Sequence, residues 1–188
     1  MRKVILKCRL DDVDRFEKKL SEIGLDFGPI VWQHDRIYVP RGYKHGANLP
    51  RLIMRTEMYA IDRPPVYSLT LKRHIEDSGV DIIEDTAVVD YVSVVNMILQ
   101  LGFKQAGEVS RRRQGIIIDE RDSIFLDEID KPSSDKDPEI KYPSAGNYAK
   151  LETILKSGES VAEVRKEIRS TFESLGEFNI IESPYFEL

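Results

Sequence analysis

Cations recur at two-residue spacing along this sequence. Lys3, Lys7 and Arg9 flank Ile5 and Cys8, Arg51 and Arg55 flank Ile53, Lys72 follows Ser68 and Thr70, and Arg111 and Arg113 stand two apart. Side chains two apart on an extended strand share a face. Several strands would thus present ammonium and guanidinium groups on one face and Val, Ile, Leu or Met on the other. Lys150 extends the set, while acids in comparable positions are few: Asp127, Glu152, Asp35 and Glu57. Guanidinium forks and ammonium groups are natural ligands of phosphate oxygens. Gathering so many like charges without a counter-ion is costly. The pattern therefore points to a concave site completed by water or by a small polyanion. The competing reading is a solvated outer face whose cations pair with Asp and Glu on neighbouring strands. Neither GxxxxGK[ST] nor GxGxxG occurs, so side chains rather than a glycine-rich loop would hold any phosphate.

The whole chain is nevertheless acidic, with net charge -5 over 188 residues. That balance argues against a nucleic-acid coat protein. Hydrophobic content of 41% and charged content of 32% are those of an ordinary globular protein, and one domain over residues 1–188 is expected. No apolar run approaches the roughly 18–20 residues of a membrane span. The apolar stretch after Met1-Arg2-Lys3 is too short for a signal peptide, so a cytoplasmic protein with no membrane partner is expected. The single cysteine, Cys8, suits a reducing compartment and reads as a small core residue.

The elements that must position the cations follow from periodicity. Residues 3–10 read as a strand. A helix capped by Asp11 or Asp12 follows, with Val13, Phe16, Leu20 and Ile23 at helical spacing and Gly24 at its end. Ile30–Val39 is a strand, Arg41–Pro50 a loop, and Arg51–Ala60 with Val66–His74 a hairpin around Asp62-Arg63-Pro64-Pro65. The acidic stretch Glu76–Asp85, with Ser78-Gly79, reads as a turn into a short strand. Asp90 starts a second helix with Val94, Val95, Ile98 and Leu101, and Gly102 ends it. Glu108–Ile118 and Ser123–Ile129 form another hairpin, Lys131–Asn147 an exposed, mobile loop, and Tyr148–Leu155 a strand. A third helix carries Val161, Val164, Ile168 and Phe172, and the tail at Ser183-Pro184-Tyr185 adds a short strand. Glu22-Ile23-Gly24-Leu25 echoes Gln100-Leu101-Gly102-Phe103, which suggests two similar halves. Many strands at hairpin spacing with few helices predict an α+β protein, an antiparallel β-barrel of about eight strands with helices packed outside.

The order of these pieces resembles the CYTH superfamily, the triphosphate tunnel metalloenzymes, over nearly the whole chain. The family's opening ExExK strand corresponds to Lys3-Val4-Ile5-Leu6-Lys7. Its arginine strand is similar to Leu52-Ile53-Met54-Arg55, and its Leu-Thr-x-Lys strand to Leu69-Thr70-Leu71-Lys72. The Leu-Gly-Phe helix end is Leu101-Gly102-Phe103, and the K-x-R strand Arg111-Arg112-Arg113. A hairpin then leads into Phe125-Leu126-Asp127-Glu128-Ile129. The closing E-x-E strand corresponds to Lys150-Leu151-Glu152, and Ser183-Pro184-Tyr185 to the C-terminal Ser-x-Tyr. The resemblance implies a barrel tunnel that binds an organic or inorganic triphosphate and turns it over as an adenylyl cyclase or triphosphatase. Phosphates would be held by Lys7, Arg9, Arg55, Lys72, Arg111 and Arg113, with Lys3 and Lys150 beside them. Mg²⁺ or Mn²⁺ would be held by Asp127 and Glu152.

The chain departs from that pattern where the metal belongs. Lys3 and Ile5 replace the two opening glutamates, and Lys150 replaces the first glutamate of E-x-E. The two lysines would put ammonium groups where the family puts metal-bound carboxylates. A non-catalytic polyanion- or nucleotide-binding protein that has lost the metal site is the alternative reading. An RNA-end module is a third, but the middle Arg112 of a strand points away from Arg111 and Arg113. His34, His45 and His74 lack metal-ligand spacing and read as surface or loop residues, and Trp32 and Phe103 read as core. Sheet edges and the 131–147 loop permit a homodimer without demanding one.

Overall fold

The computed structural model describes residues 2–43, 50–60, 62–75, 80–129, 145–176 and 179–181. Its elements run β1 (Arg2–Leu10), α1 (Val13–Glu22), β2 (Val31–Pro40), β3 (Arg51–Met58), β4 (Val66–Ile75), β5 (Val80–Val88), α2 (Tyr91–Gln100), β6 (Phe103–Ile117), β7 (Asp122–Ile129), β8 (Gly146–Ile154), α3 (Val161–Leu175) and β9 (Asn179–Ile181). All pairings are antiparallel, in the order β5-β4-β3-β2-β6-β7-β8-β1-β9. β5 also meets β1, through Arg2↔Ile82, Lys3↔Asp81 and Val4↔Val80. That contact curls the eight long strands into a tunnel-like barrel. β9 occupies the rest of the same edge of β1, opposite Lys7–Arg9.

The echo between the two Gly-containing helix ends becomes an approximate two-fold relation. β1-α1-β2-β3-β4 and β5-α2-β6-β7-β8 have the same order of elements. β2 pairs with its counterpart β6, and β1 with its counterpart β5. Each helix starts on an expected cap: the Asp12 side chain accepts from the Arg15 N–H at 2.9 Å, and that of Asp90 from the Ser93 N–H at 3.1 Å. Gly24 and Gly102 both adopt φ near +80 to +90°, a region that favours glycine (φ 79 and 89).

The outer wall is sealed by the helices. Val4, Leu6, Cys8 and Leu10 of β1 alternate outward into a core shared with Phe16 and Leu20 of α1 and with Val164, Ile168, Phe172 and Leu175 of α3. Tyr38, Met54 and Ile98 form a second outer core beneath α2. Burial pushes the Cys8 thiol up to about 12, which makes it an inert core residue. Among the described residues no helix is long and apolar enough to cross a membrane.

The structure departs from the sequence reading in several places. Ile23 and Leu101 were expected on apolar helix faces but sit at the C-caps, 61% and 68% exposed. β5 is nine residues long rather than short, and β6 starts at Phe103 rather than Glu108. The tail strand forms at Asn179–Ile181, whereas Ser183-Pro184-Tyr185 lies outside the described residues, as do His45 and most of the 41–50 and 131–147 loops. Trp32 is not core: it is half exposed on the outer face, with the Arg112 guanidinium 5.6 Å from its ring centre.

Phe172 is fully buried between α3 and the barrel. Phe172→Ala should lower the unfolding free energy by about 3–5 kcal/mol in urea titrations, with the m-value unchanged. A loss below about 1 kcal/mol would mean that α3 is not packed on the barrel as described.

Candidate functional site

The inward faces of β2, β3, β6, β7 and β8 stack in tiers, because each strand contributes every second residue. The first tier is apolar: Ile37, Ile53, Val109, Ile129 and Tyr148 form one buried cluster. Two residues along each strand the tier is charged: Asp35, Arg55, Arg111, Asp127 and Lys150. Two further, it is Gln33, Glu57, Arg113, Phe125 and Glu152. These last residues line a cavity of about 490 Å³, and Ile53 is the one member of the apolar cluster that touches it. The cavity therefore has the charged tier at its deep end and opens where β2 begins and β3 and β6 end.

The charged tier is a connected chain. Arg55 donates from Nε and Nη2 to both Asp35 oxygens at 2.7 and 3.0 Å. Arg111 Nη2 donates to the same Asp35 and Nη1 to Asp127 at 3.5 Å. Arg113 grips both Asp127 oxygens at 2.6 and 2.7 Å. Burial alone would raise both aspartates, but the guanidinium charges override it and hold Asp35 and Asp127 well below the usual carboxylate range. Arg111 is almost wholly buried. Burial pulls its pKa down, against the opposing pull of Asp35, and its Nε is buried without a hydrogen-bond partner.

A second set of ion pairs lies on the β8–β1 wall. Lys3 Nζ donates to Glu152 Oε2 at 2.7 Å and Lys150 Nζ donates to Glu152 Oε1. Burial would raise Glu152, yet the two ammonium groups hold it low. Lys150 itself is lowered to about 8, by burial first and with Glu152 opposing. The Phe125 ring receives Arg113 at 4.7 Å and Lys150 at 5.6 Å from its centre. Gly115 permits that placement: a Cβ there would stand 3.1 Å from a Phe125 ring carbon.

Of the expected phosphate ligands, Lys3, Arg55, Lys72, Arg113 and Lys150 line the cavity. Arg111 is sealed beneath it. Lys7 faces inward by alternation with outward Leu6 and Cys8, and is half-buried outside the cavity lining. Arg9 is exposed and does not line the cavity, because β1 has by then run past the apolar tier. Arg51, outside the lining too, is half-buried. Arg112 points outward to Glu128, as the alternation required. Three polar lining residues stood outside the cation pattern: Asp85, which accepts from Thr70 Oγ1 at 2.5 Å, Gln33 and Tyr59. The two-residue step from Ile83 would have found Asp85.

The divalent ion implied by the resemblance does not fit these residues. All four oxygens of Asp127 and Glu152 are engaged by guanidinium or ammonium groups, whose charge opposes a dication. Among the described residues no three His, Cys, Asp or Glu side chains gather to hold a metal. Among the described residues the cavity is lined by five cations (Lys3, Arg55, Lys72, Arg113, Lys150) and three carboxylates (Glu57, Asp85, Glu152).

Solved structures share this fold, three of them as follows. The PH1819 protein of Pyrococcus horikoshii superposes with a TM-score of 0.77 at 18% identity, over 97% of this chain and 95% of that one. A candidate adenylate cyclase from Vibrio parahaemolyticus gives 0.73 at 15% identity, over 97% and 94%. HpAC1 of Hippeastrum, a candidate adenylyl cyclase with a dominant triphosphatase activity, gives 0.59 at 14%, over 97% and 92%. No protein-family model matches the chain, and no curated protein matches its sequence. At these identities the likeness is one of fold.

Removing one member of the charged chain strands the others. Asp35→Asn leaves Arg55 and Arg111 without their shared counter-charge and should cost about 3–5 kcal/mol of stability, measured by chemical denaturation. A neutral result would show that water reaches this tier and solvates the guanidiniums.

Proposed function

We propose that the barrel cavity binds a small molecule bearing a polyphosphate group, held by side-chain cations without a protein-bound metal ion. The observation that carries this reading is the convergence of five cations, against three carboxylates, on one cavity among the described residues. Gathering so many cations around one cavity is costly, and a multiply charged anion relieves the cost. Lys72, Lys150, Arg55 and Arg113 come from four different strands around the cavity and would surround the phosphate oxygens. Lys3 and Glu152 would set the position of Lys150. The structural neighbours named as cyclase and triphosphatase candidates lend support, since they place phosphate chemistry in proteins of this fold. Those names also favour a second reading, turnover of a triphosphate, in which the same cations would stabilise charge developing on the transferred phosphoryl group.

The test is a thermal-shift titration with tripolyphosphate, ATP and thiamine triphosphate, each in Mg²⁺ and in EDTA, followed by phosphate-release assays. Binding at about 100 times Kd adds about 2.7 kcal/mol, or about 5–10 °C for a chain of this size. That stabilisation should persist in EDTA, and Lys72→Met should weaken it at least tenfold. Stabilisation only with Mg²⁺ would restore a metal role to Asp127 and Glu152. No response to any of the three would overturn the polyphosphate reading.

The depressed pKa of Lys150 gives a pH signature. An ordinary lysine titrates near 10.5, whereas the folded Lys150 titrates near 8. Between these values the unfolded chain binds the extra proton, so this group's contribution to stability rises with pH. Its contribution to anion binding runs the other way, fully present below about 8 and lost above it. Calorimetric affinity for tripolyphosphate should therefore fall as pH passes through 8. Lys150→Arg, whose guanidinium stays charged, should flatten the profile. A fall of the same size in that variant would assign the effect to another group.

A further inference from the structure

The polyphosphate reading leaves the other half of the cavity unexplained. Above the charged tiers its lining turns apolar, with Pro29, Val31, Tyr59 and Ile117 among its walls. These residues lie toward the mouth, where the strand starts and ends are adjacent: Val31 opposite Arg113, Trp32 opposite Met58, Glu57 opposite Val66 and Ile117 opposite Ser123.

The rim itself carries more apolar surface. Thirteen large hydrophobic side chains are exposed among the described residues. Four of them, Tyr59, Val66, Val89 and Ile117, stand at the strand ends that ring this one mouth. Ile117 is 80% exposed and Val89 99% exposed. Isolated exposed hydrophobics are ordinary, but their concentration around the entrance to a cationic cavity is not. A rim built to receive a nucleoside would need free donors and acceptors for the base edge; Ile and Val supply none, and the Tyr59 hydroxyl already donates to Glu57.

We infer that the ligand is an amphiphile: a diphosphate ester of an apolar chain, its anionic head among Lys72, Lys150, Arg55 and Arg113 and its chain against the collar at Tyr59 and Ile117. This rests on the polyphosphate reading and adds to it the chemistry of the group that the phosphates carry. Two features agree on one ligand. The deep end supplies a net positive charge to an anion. The mouth supplies apolar contacts, continuous with the cavity, that a bare polyphosphate would leave unused.

The test compares pyrophosphate, farnesyl diphosphate below its micelle concentration, farnesol and ATP by isothermal titration in EDTA. Farnesyl diphosphate should bind at least tenfold more tightly than pyrophosphate, and farnesol weakly. Ile117→Ser, an exposed position that should leave folding intact, should shrink the ratio of the two affinities at least threefold. Pyrophosphate and farnesyl diphosphate binding equally would overturn the inference while leaving the polyphosphate reading standing. Binding of none of pyrophosphate, farnesyl diphosphate and ATP would overturn both. Tighter binding of ATP than of farnesyl diphosphate would give the mouth to a nucleoside, and farnesol binding as well as its diphosphate would remove the phosphate requirement. Each of these results excludes the amphiphile.

Discussion

The interior depends on one run of ion pairs, Arg55–Asp35–Arg111–Asp127–Arg113, which ties β3, β2, β6 and β7 together. Two carboxylates are shared among three guanidiniums, and neither aspartate has an exposed oxygen to fall back on. Such a run is sustainable only when complete, because each charge is desolvated on the assumption of its partners. It also fixes register. A slip of one residue in any of these strands would turn its charge toward the outer cores and an outer Met, Tyr or Leu into the barrel. Specificity of pairing, more than net stability, is what this arrangement supplies.

The same run shapes what the cavity can offer a ligand. A bidentate pair uses two of the five N–H donors on a guanidinium, so Arg55 and Arg113 can be fixed by aspartates below and still present donors above. Arginine held in this way is preorganised, with its side-chain entropy already spent on the fold. The lysines work differently. Lys3 and Lys150 are anchored by Glu152, and Lys150 sits over Phe125, where loss of solvent brings its titration close to the neutral range. One wall of the cavity therefore has permanent charge, and the opposite wall has charge that responds to pH.

Much of this was legible in the sequence because strand alternation is a strict rule. Once Lys3, Arg55, Lys72, Arg111 and Arg113 were read as inward, the outward partners Val4, Met54, Leu71 and Arg112 followed; the first two helices followed from their caps and the third from its apolar spacing. What could not be read was depth. Arg9 and Lys7 share the face of Lys3, but barrel strands are staggered, so position along β1 decides whether a side chain reaches the cavity. Pairing was equally hidden. The metal role of Asp127 and Glu152 was implied by the family resemblance alone, and only the cross-strand register of β6, β7, β8 and β1 shows each already held by cations. The collar was missed for a different reason: Ile117, Val89 and Tyr59 are far apart in sequence, and nothing local marks them as neighbours of one mouth.

The substitutions at Lys3, Ile5 and Lys150 have a common electrostatic sense. Where a metal-binding tunnel would place carboxylates to hold a dication against phosphate, this chain places ammonium groups directly, and at Ile5 it places no charge at all. A lysine delivers one positive charge without the demand for octahedral ligands and retained water that Mg²⁺ makes. It also tolerates drier surroundings when a carboxylate such as Glu152 shares its burial. A mouth lined with Ile, Val and Tyr could not easily coexist with a hydrated metal and its carboxylate shell, but it can coexist with buried Lys–Glu–Lys pairs. The apolar entrance and the lysines paired on Glu152 are thus compatible features of one tunnel.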